Sequence, residues 1–349
     1  MELSVLLFLG SGLFLGWSLG ANDAANVFGT AVGTRMVKFS TAAIVCSVFV
    51  ILGAVISGAG TTETLGKLGA INKLPAAFMA AFAAALTVYI MTKRSLPVST
   101  SQAIVGAIIG WNLFSGSPTD TQVLTKIALT WVACPLLAGL VAVPLYMLVR
   151  RGLVSLKLHI LRLDAYTRFA LIIAGALGAY SLGANNIANV VGVFVPSSPF
   201  TDFAVSDWFI FSSIHQLFLL GALAIAIGVF TYSKHVMMTV GQNLVSMSPI
   251  AAWVVVVSHS IVLFLFASKG LEAILLDAGL PSIPLVPVSS SQAVVGAIVA
   301  LGLMKGSESI QWRVLGSIAI GWVITPFCAA LLSYVGLFVL QNVVNLSVY

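Results

Sequence analysis

Two short blocks concentrate polar side chains in this otherwise apolar chain, and each block occurs twice. Asn22, Asp23 and Asn26 stand in Ser18-Leu-Gly-Ala-Asn-Asp-Ala-Ala-Asn-Val, and Asn185, Asn186 and Asn189 stand in Ser181-Leu-Gly-Ala-Asn-Asn-Ile-Ala-Asn-Val, 163 residues later. Five amide side chains and one carboxylate offer hard oxygen donors of the kind an alkali cation accepts. Asp23 is the one acid well inside an apolar run, where an unpaired charge costs about 2.5–3.5 kcal/mol on insertion scales, so it calls for a cation or a proton. Sodium suits this set: Asn22, Asp23, Asn26, Asn185, Asn186 and Asn189 are its candidate ligands. The plainer alternative is that the amides cap helices and join neighbouring ones.

The second block is Pro97-Val-Ser99-Thr100-Ser101-Gln102-Ala-Ile-Val-Gly106, repeated as Pro287-Val-Ser289-Ser290-Ser291-Gln292-Ala-Val-Val-Gly296. Proline and a hydroxyl ahead of an apolar run mark a helix start. A helix start carries free N–H groups and the positive end of the helix dipole, so two starts facing each other could hold one tetrahedral oxyanion. Ser99, Thr100, Ser101, Gln102, Ser289, Ser290, Ser291 and Gln292 are the candidate anion ligands, with Asn22 and Asn185 beside them. Here too the hydroxyls have a plainer use, bonding their own backbone. Neither start contains Lys or Arg, which favours an anion that can be released over one held by a guanidinium fork.

These residues need elements to position them. Of the 349 residues 60% are hydrophobic and 7% charged, and the mean hydropathy is +1.10. Apolar runs near 20 residues, the length that crosses a bilayer as a helix, recur along nearly the whole chain. The expected fold is therefore an all-α polytopic membrane protein. The first run, from Val5, follows Glu2 and lacks the basic start of a cleaved signal peptide, so it reads as a retained segment.

Segments near 5–34, 39–60, 75–92, 98–114 and 127–149 are expected to cross, followed by five more after a basic linker at 150–168. With both termini outside, 12 basic residues fall inside and 4 (Lys67, Lys73, Lys126 and Lys269) outside, the bias the positive-inside rule requires. The organisation read from the sequence is a first repeat at 1–149, a cytoplasmic linker at 150–168 and a second repeat at 169–349. Five crossings per repeat is an odd number, so the repeats should be inverted, as in many carriers with substrate near the midplane. The offset between the halves grows from 163 at the first block to 190 at the second, so the second half holds extra sequence between them. Segment one, about 45 Å long as a helix, is too long for one straight crossing and is expected to break at Gly20–Asn26 or to tilt.

Other readings fit less well. The +6 net charge lies at segment ends, not along one stripe, which speaks against a nucleic-acid partner. Cys46, Cys134 and Cys328 are isolated and read as packing residues. Gly29-Thr-Ala-Val-Gly33 occurs once and lacks the Tyr-Gly ending of a potassium filter. A hydrolase built on Ser101 or Ser291 with His215 or His259 would lack a nucleophile elbow, so no enzyme is expected. His215, Gln216 and His259 are polar groups on apolar helices, read as interhelical hydrogen-bonding groups ahead of a proton relay.

The duplicated blocks resemble the inorganic phosphate transporter (Pit) family over nearly the whole chain. The resemblance implies an inverted-repeat carrier, a homodimer in the lipid bilayer, that moves phosphate with sodium or protons at these motifs, with no cofactor beyond the co-transported sodium. Some relatives carry sulfate. This chain departs from the pattern at Asn186, where the second motif commonly has Asp. The expectation is a sodium-coupled phosphate symporter of the cell membrane, with a proton-coupled carrier or a carrier of sulfate or another oxyanion as the alternative.

Overall fold

The structure, a computed structural model, describes residues 3–94, 98–156, 159–206, 209–243, 247–306 and 310–349. Pro97 and Lys157, which belong to the second block and the linker, lie outside these residues. The first half consists of α1 (Leu3–Gly33), α2 (Phe39–Ser57), α3 (Ala59–Leu68), α4 (Leu74–Lys93), α5 (Thr100–Ser115) and α6 (Thr121–Leu156). The second consists of α7 (Ile160–Val191), a 3-10 turn at Gly192–Ser197, β1 (Phe203–Ser206), β2 (Phe209–Phe211), α8 (Ser213–Thr231), α9 (Ser233–Asn243), α10 (Pro249–Leu265), α11 (Lys269–Asp277), α12 (Ser290–Lys305) and α13 (Trp312–Asn342). β1 and β2 form an antiparallel hairpin, a small exception to an all-helical chain.

Side-chain placement follows from what each face meets. On α2, Ile44, Val48, Leu52 and Ile56 are exposed at a spacing of four, a single stripe of the helix, and belong against lipid. The opposite face carries Ala42, Ala43, Cys46, Val50, Gly53 and Ala54, whose small size lets α7 approach closely. α6 and α13 likewise turn large apolar side chains outward, among them Leu136, Leu140, Phe327 and Leu331. α5 is the reverse and is buried along nearly its whole length.

Packing repeats between the halves. α4 lies on α1 as α10 lies on α7, and α5 lies on α13 as α12 lies on α6. The same glycine makes the last of these contacts in each half: a Cβ on Gly106 would run into the Pro326 carbonyl, and one on Gly296 into the Pro135 carbonyl. The halves also interlock, since α1 packs on α8 and α9, and α2 on α7. The extra sequence of the second half falls in two places, the 192–211 stretch with the hairpin and the 266–289 stretch with α11.

Three expectations need correction. α1 is one unbroken helix through Gly20–Asn26, and α7 is continuous through its copy of the motif. Gly20 is needed there for close packing, because a Cβ would collide with the Ile225 carbonyl, and the amides bond sideways instead of capping a break.

The number of crossings is the second. Among the described residues six helices, α1, α2, α4, α6, α8 and α13, are long and apolar enough to span a bilayer, and α10 with α11 forms a seventh candidate bent by 66°. α5 and α12, at 16 residues each, reach only about 24 Å, short of a hydrocarbon core of about 30 Å.

The third concerns segment ends. α6 runs through Arg150 and Arg151 to Leu156 and α7 starts at Ile160, so the basic linker is mostly helical. Ahead of the apolar helix that holds His215 and Gln216, Phe209–Phe211 is strand, and the helix begins only at Ser213.

Candidate functional site

The interruption that α1 lacks lies between α4 and α5. Thr92, near the end of α4, sets its hydroxyl 3.5 Å from Asn22 Oδ1, and the Asn22 amide donates to the Val98 carbonyl just before α5 at 3.0 Å. Asn22 is eleven residues short of the end of α1, about 16 Å along the axis, so Thr92 and Val98 lie well inside the bundle. In the second half Asn185 plays the same part. Its amide donates to the Val286 carbonyl at 3.1 Å and its Oδ1 accepts from the Val288 N–H at 2.8 Å, which pins the extended segment ahead of α12. Asn22 and Asn185 therefore hold the two helix starts in place.

Both starts have the caps that their sequence predicts. Ser99 Oγ accepts from the Gln102 N–H at 3.2 Å and Ser289 Oγ from the Gln292 N–H at 3.3 Å, each with the next serine but one hydrogen-bonded beside it. Ser99, Thr100, Ser101, Gln102 and Ser289, Ser290, Ser291, Gln292 are all buried. Both starts converge on α1 and α7, and α12 makes the crossing contact directly: the Asn26 amide donates to Ser290 Oγ at 3.1 Å.

The carboxylate of Asp23 is buried and accepts from the Asn22 amide at 2.8 Å and the Asn26 amide at 3.4 Å. In the matching contact Asn189 donates to Asn186 Oδ1 at 2.8 Å. Neither acid nor amides meet a Lys or Arg: the two ion pairs among the described residues, Lys67–Glu63 and Arg168–Asp164, are exposed.

Buried polar atoms without a partner cost free energy, about 1–3 kcal/mol each, and native proteins contain few. Among the described residues several of them lie at the motifs, four in pairs related by the repeat: Asn26 Oδ1 with Asn189 Oδ1, and Gln102 Oε1 with Gln292 Oε1. Thr100 Oγ1, Asn186 Nδ2 and His259 Nδ1 add to them. Such a set is built to receive polar ligands, oxygens toward a cation and amide or hydroxyl donors toward an anion. Together with the buried Asn22, Asp23, Asn185 and the serines of the two helix starts, this set makes up the candidate site.

His259 sits deep in α10 with its Nε2 2.8 Å from Ser290 Oγ, an interhelical bond of the type expected. His215 instead bonds Ser212 at the start of its own helix, and Gln216 donates to the Thr201 and Phe211 carbonyls, so both tie down the local turn. The sequence alone gave His259 no partner, because its only signal was a lone imidazole in an apolar helix.

A cavity of about 570 Å³ borders the segment ahead of the second start. Glu63, Lys67, Lys126, Lys269 and Glu272 line it, and Leu285 and Val286, the anchor of Asn185, close one side of it. The Glu63 carboxyl is held below the usual carboxylate range by the hydrogen bond and charge of Lys67, four residues on.

Residues 19–333 match the profile of the phosphate transporter family. A relative from Methanocaldococcus jannaschii, named as a candidate phosphate permease, is 27% identical over 96% of this chain and 97% of its own length. The sulfate permease CysP of Bacillus subtilis is 28% identical over 96% of this chain and 86% of its own. A solved structure titled as the sodium-dependent phosphate transporter shares the fold, with a TM-score of 0.73 and 22% identity over 97% of this chain and 99% of that one.

Proposed function

Because this chain belongs to the phosphate transporter family, we propose that it is a secondary carrier that moves inorganic phosphate together with sodium. The observation that carries the reading is the pairing of unpartnered buried polar atoms across two helix starts that meet beside an uncompensated Asp23. A divalent anion entering such a site needs positive charge, and no Lys or Arg supplies it. Sodium on Asp23 does, with the Asn26 and Asn189 oxygens as further neutral ligands and Asn186 as the uncharged counterpart of Asp23. The anion then takes the hydroxyls and free N–H groups of the two starts, where the helix dipoles favour it. By linkage, bound sodium must raise phosphate affinity by the same factor that phosphate raises sodium affinity.

The repeated packing supports an inverted pair of halves that alternate around this site. We assign the termini to the outside and the 150–168 linker to the cytoplasm from the basic-residue bias, and the chain to a homodimer in the cell membrane. A cysteine placed at Ser155 should resist an impermeant reagent applied to intact cells. Strong labelling would reverse the orientation.

The likeness to a sulfate permease favours one rival cargo. Uptake of labelled phosphate into proteoliposomes, with sodium and proton gradients imposed separately and sulfate as competitor, decides both questions. Sodium-driven uptake that excess sulfate fails to block is the expected result. Uptake that follows the proton gradient and ignores sodium would overturn the coupling, and preferred uptake of sulfate would overturn the cargo.

A further inference from the structure

Ser290 is the one hydroxyl at either helix start that bonds both other halves of the site. Its Oγ lies 3.1 Å from the Asn26 amide nitrogen and 2.8 Å from His259 Nε2. The direction of each bond follows from what lies behind it. Asn26 Nδ2 also reaches Asp23 Oδ1, an acceptor, so the NH2 group and not the carbonyl faces this way, and its second hydrogen goes to Ser290. His259 Nδ1 is buried with no partner. A neutral imidazole has one N–H, and a buried orphan N–H is rarer in folded proteins than an under-satisfied acceptor. The proton therefore belongs on Nε2, which donates to Ser290.

A serine oxygen has two acceptor sites and one proton. With both acceptor sites filled, the Ser290 O–H has to point away from Asn26 and His259. The first half has no such device. α4, which packs on α1 and α5 as α10 packs on α7 and α12, carries Ala83, Ala84 and Ala85 along its buried length, and Thr100, the counterpart of Ser290, has the Asp23 carboxyl as its polar neighbour in place of an imidazole.

We propose that His259 is a positioning residue for the anion: by occupying an acceptor site of Ser290 it fixes that hydroxyl as a donor toward the oxyanion, and so makes the second helix start the tighter of the two anion contacts. This rests on the carrier reading above. It assigns the imidazole the work of orienting a hydrogen bond, with no transfer of its proton.

The test is a double-mutant cycle read in the half-saturation concentration for labelled phosphate in proteoliposomes. His259→Ala should raise it about tenfold, within the range for losing a hydrogen bond to a charged group. His259→Gln, whose amide N–H replaces Nε2–H, should restore most of the loss, and His259→Leu, which fills the space without a donor, should not. In a Ser290→Ala background His259→Ala should add nothing. Independent multiplication of the two losses, or equal behaviour of the Gln and Leu variants, would overturn the proposal, as would an unchanged half-saturation in His259→Ala. The Gln and Leu pair serves equally if the alanine variant fails to fold. Wild-type protein that takes up no phosphate would sink the carrier reading itself, a different outcome from wild-type uptake with indifferent His259 variants.

Discussion

The two halves share a plan and differ in the chemistry they place on it. Each has a long unbroken helix with a paired amide motif, a short capped helix that starts inside the bundle, and an asparagine that pins the segment ahead of that start. At the decisive positions the first half has Asp23, three alanines and Thr100, and the second has Asn186, His259 and Ser290. Acidic oxygen gathers on one side and an ordered hydroxyl on the other. The comparison teaches that a duplicated scaffold supplies geometry twice, while single substitutions change the chemistry that each copy presents.

The sharpest way to break this asymmetry is to exchange its charge. Asp23→Asn should lose sodium stimulation of phosphate uptake altogether, since no other carboxylate lies in the site, and initial rates measured with and without sodium check it. Asn186→Asp should raise the number of cations moved per phosphate or add pH dependence, read from the reversal potential of uptake. If both variants keep wild-type sodium dependence, the halves do not divide the ions in this way.

Next in size are the serines that both helix starts share. Ser101→Ala and Ser291→Ala should each weaken phosphate binding by roughly 1.5–3 kcal/mol, the range for a hydrogen bond to a charged group. Isothermal titration in detergent would show it, and unchanged affinity in both would remove the serine clusters from the site.

The shared scaffold should break symmetrically. Gly106→Ala and Gly296→Ala each force a methyl into a facing proline carbonyl, and should cost about 1–3 kcal/mol each as overpacking does. Thermal unfolding of the detergent-solubilised variants measures this. A large loss in one and none in the other would contradict the equivalence of the α5–α13 and α12–α6 contacts.

The smallest effect belongs to the cavity beside the second start. Lys126 and Lys269 line it and neither takes part in an ion pair among the described residues. Replacing both with Gln should slow anion capture a few-fold at low salt, and the difference should vanish near 1 M salt, where the Debye length falls to about 3 Å. Pre-steady-state uptake at two ionic strengths separates the cases.

Much of this was legible in the sequence because the relevant physics is local. Hydropathy over 20 residues marks membrane helices, and a serine three residues ahead of a free N–H caps a helix whatever surrounds it, so the Ser99 and Ser289 starts could be read directly. The doubled motifs likewise announced two related halves and the polar residues of the site. The continuity of α1 was not legible: glycine next to amides signals a break as readily as a tight crossing, and only the Ile225 carbonyl opposite Gly20 tells them apart.

The sequence by itself thus determined the class of protein, its duplication and the inventory of polar side chains in the motifs, since these follow from composition, period and spacing along one chain. Tertiary structure alone decided which groups meet. Asn22 reaches a carbonyl 76 residues away, Asn26 a hydroxyl 264 away, and His259 the same hydroxyl from a third helix. Hydrogen bonds of about 3 Å depend on how helices cross, and helix crossing is set by small residues and facing carbonyls from distant parts of the chain, which no local pattern encodes.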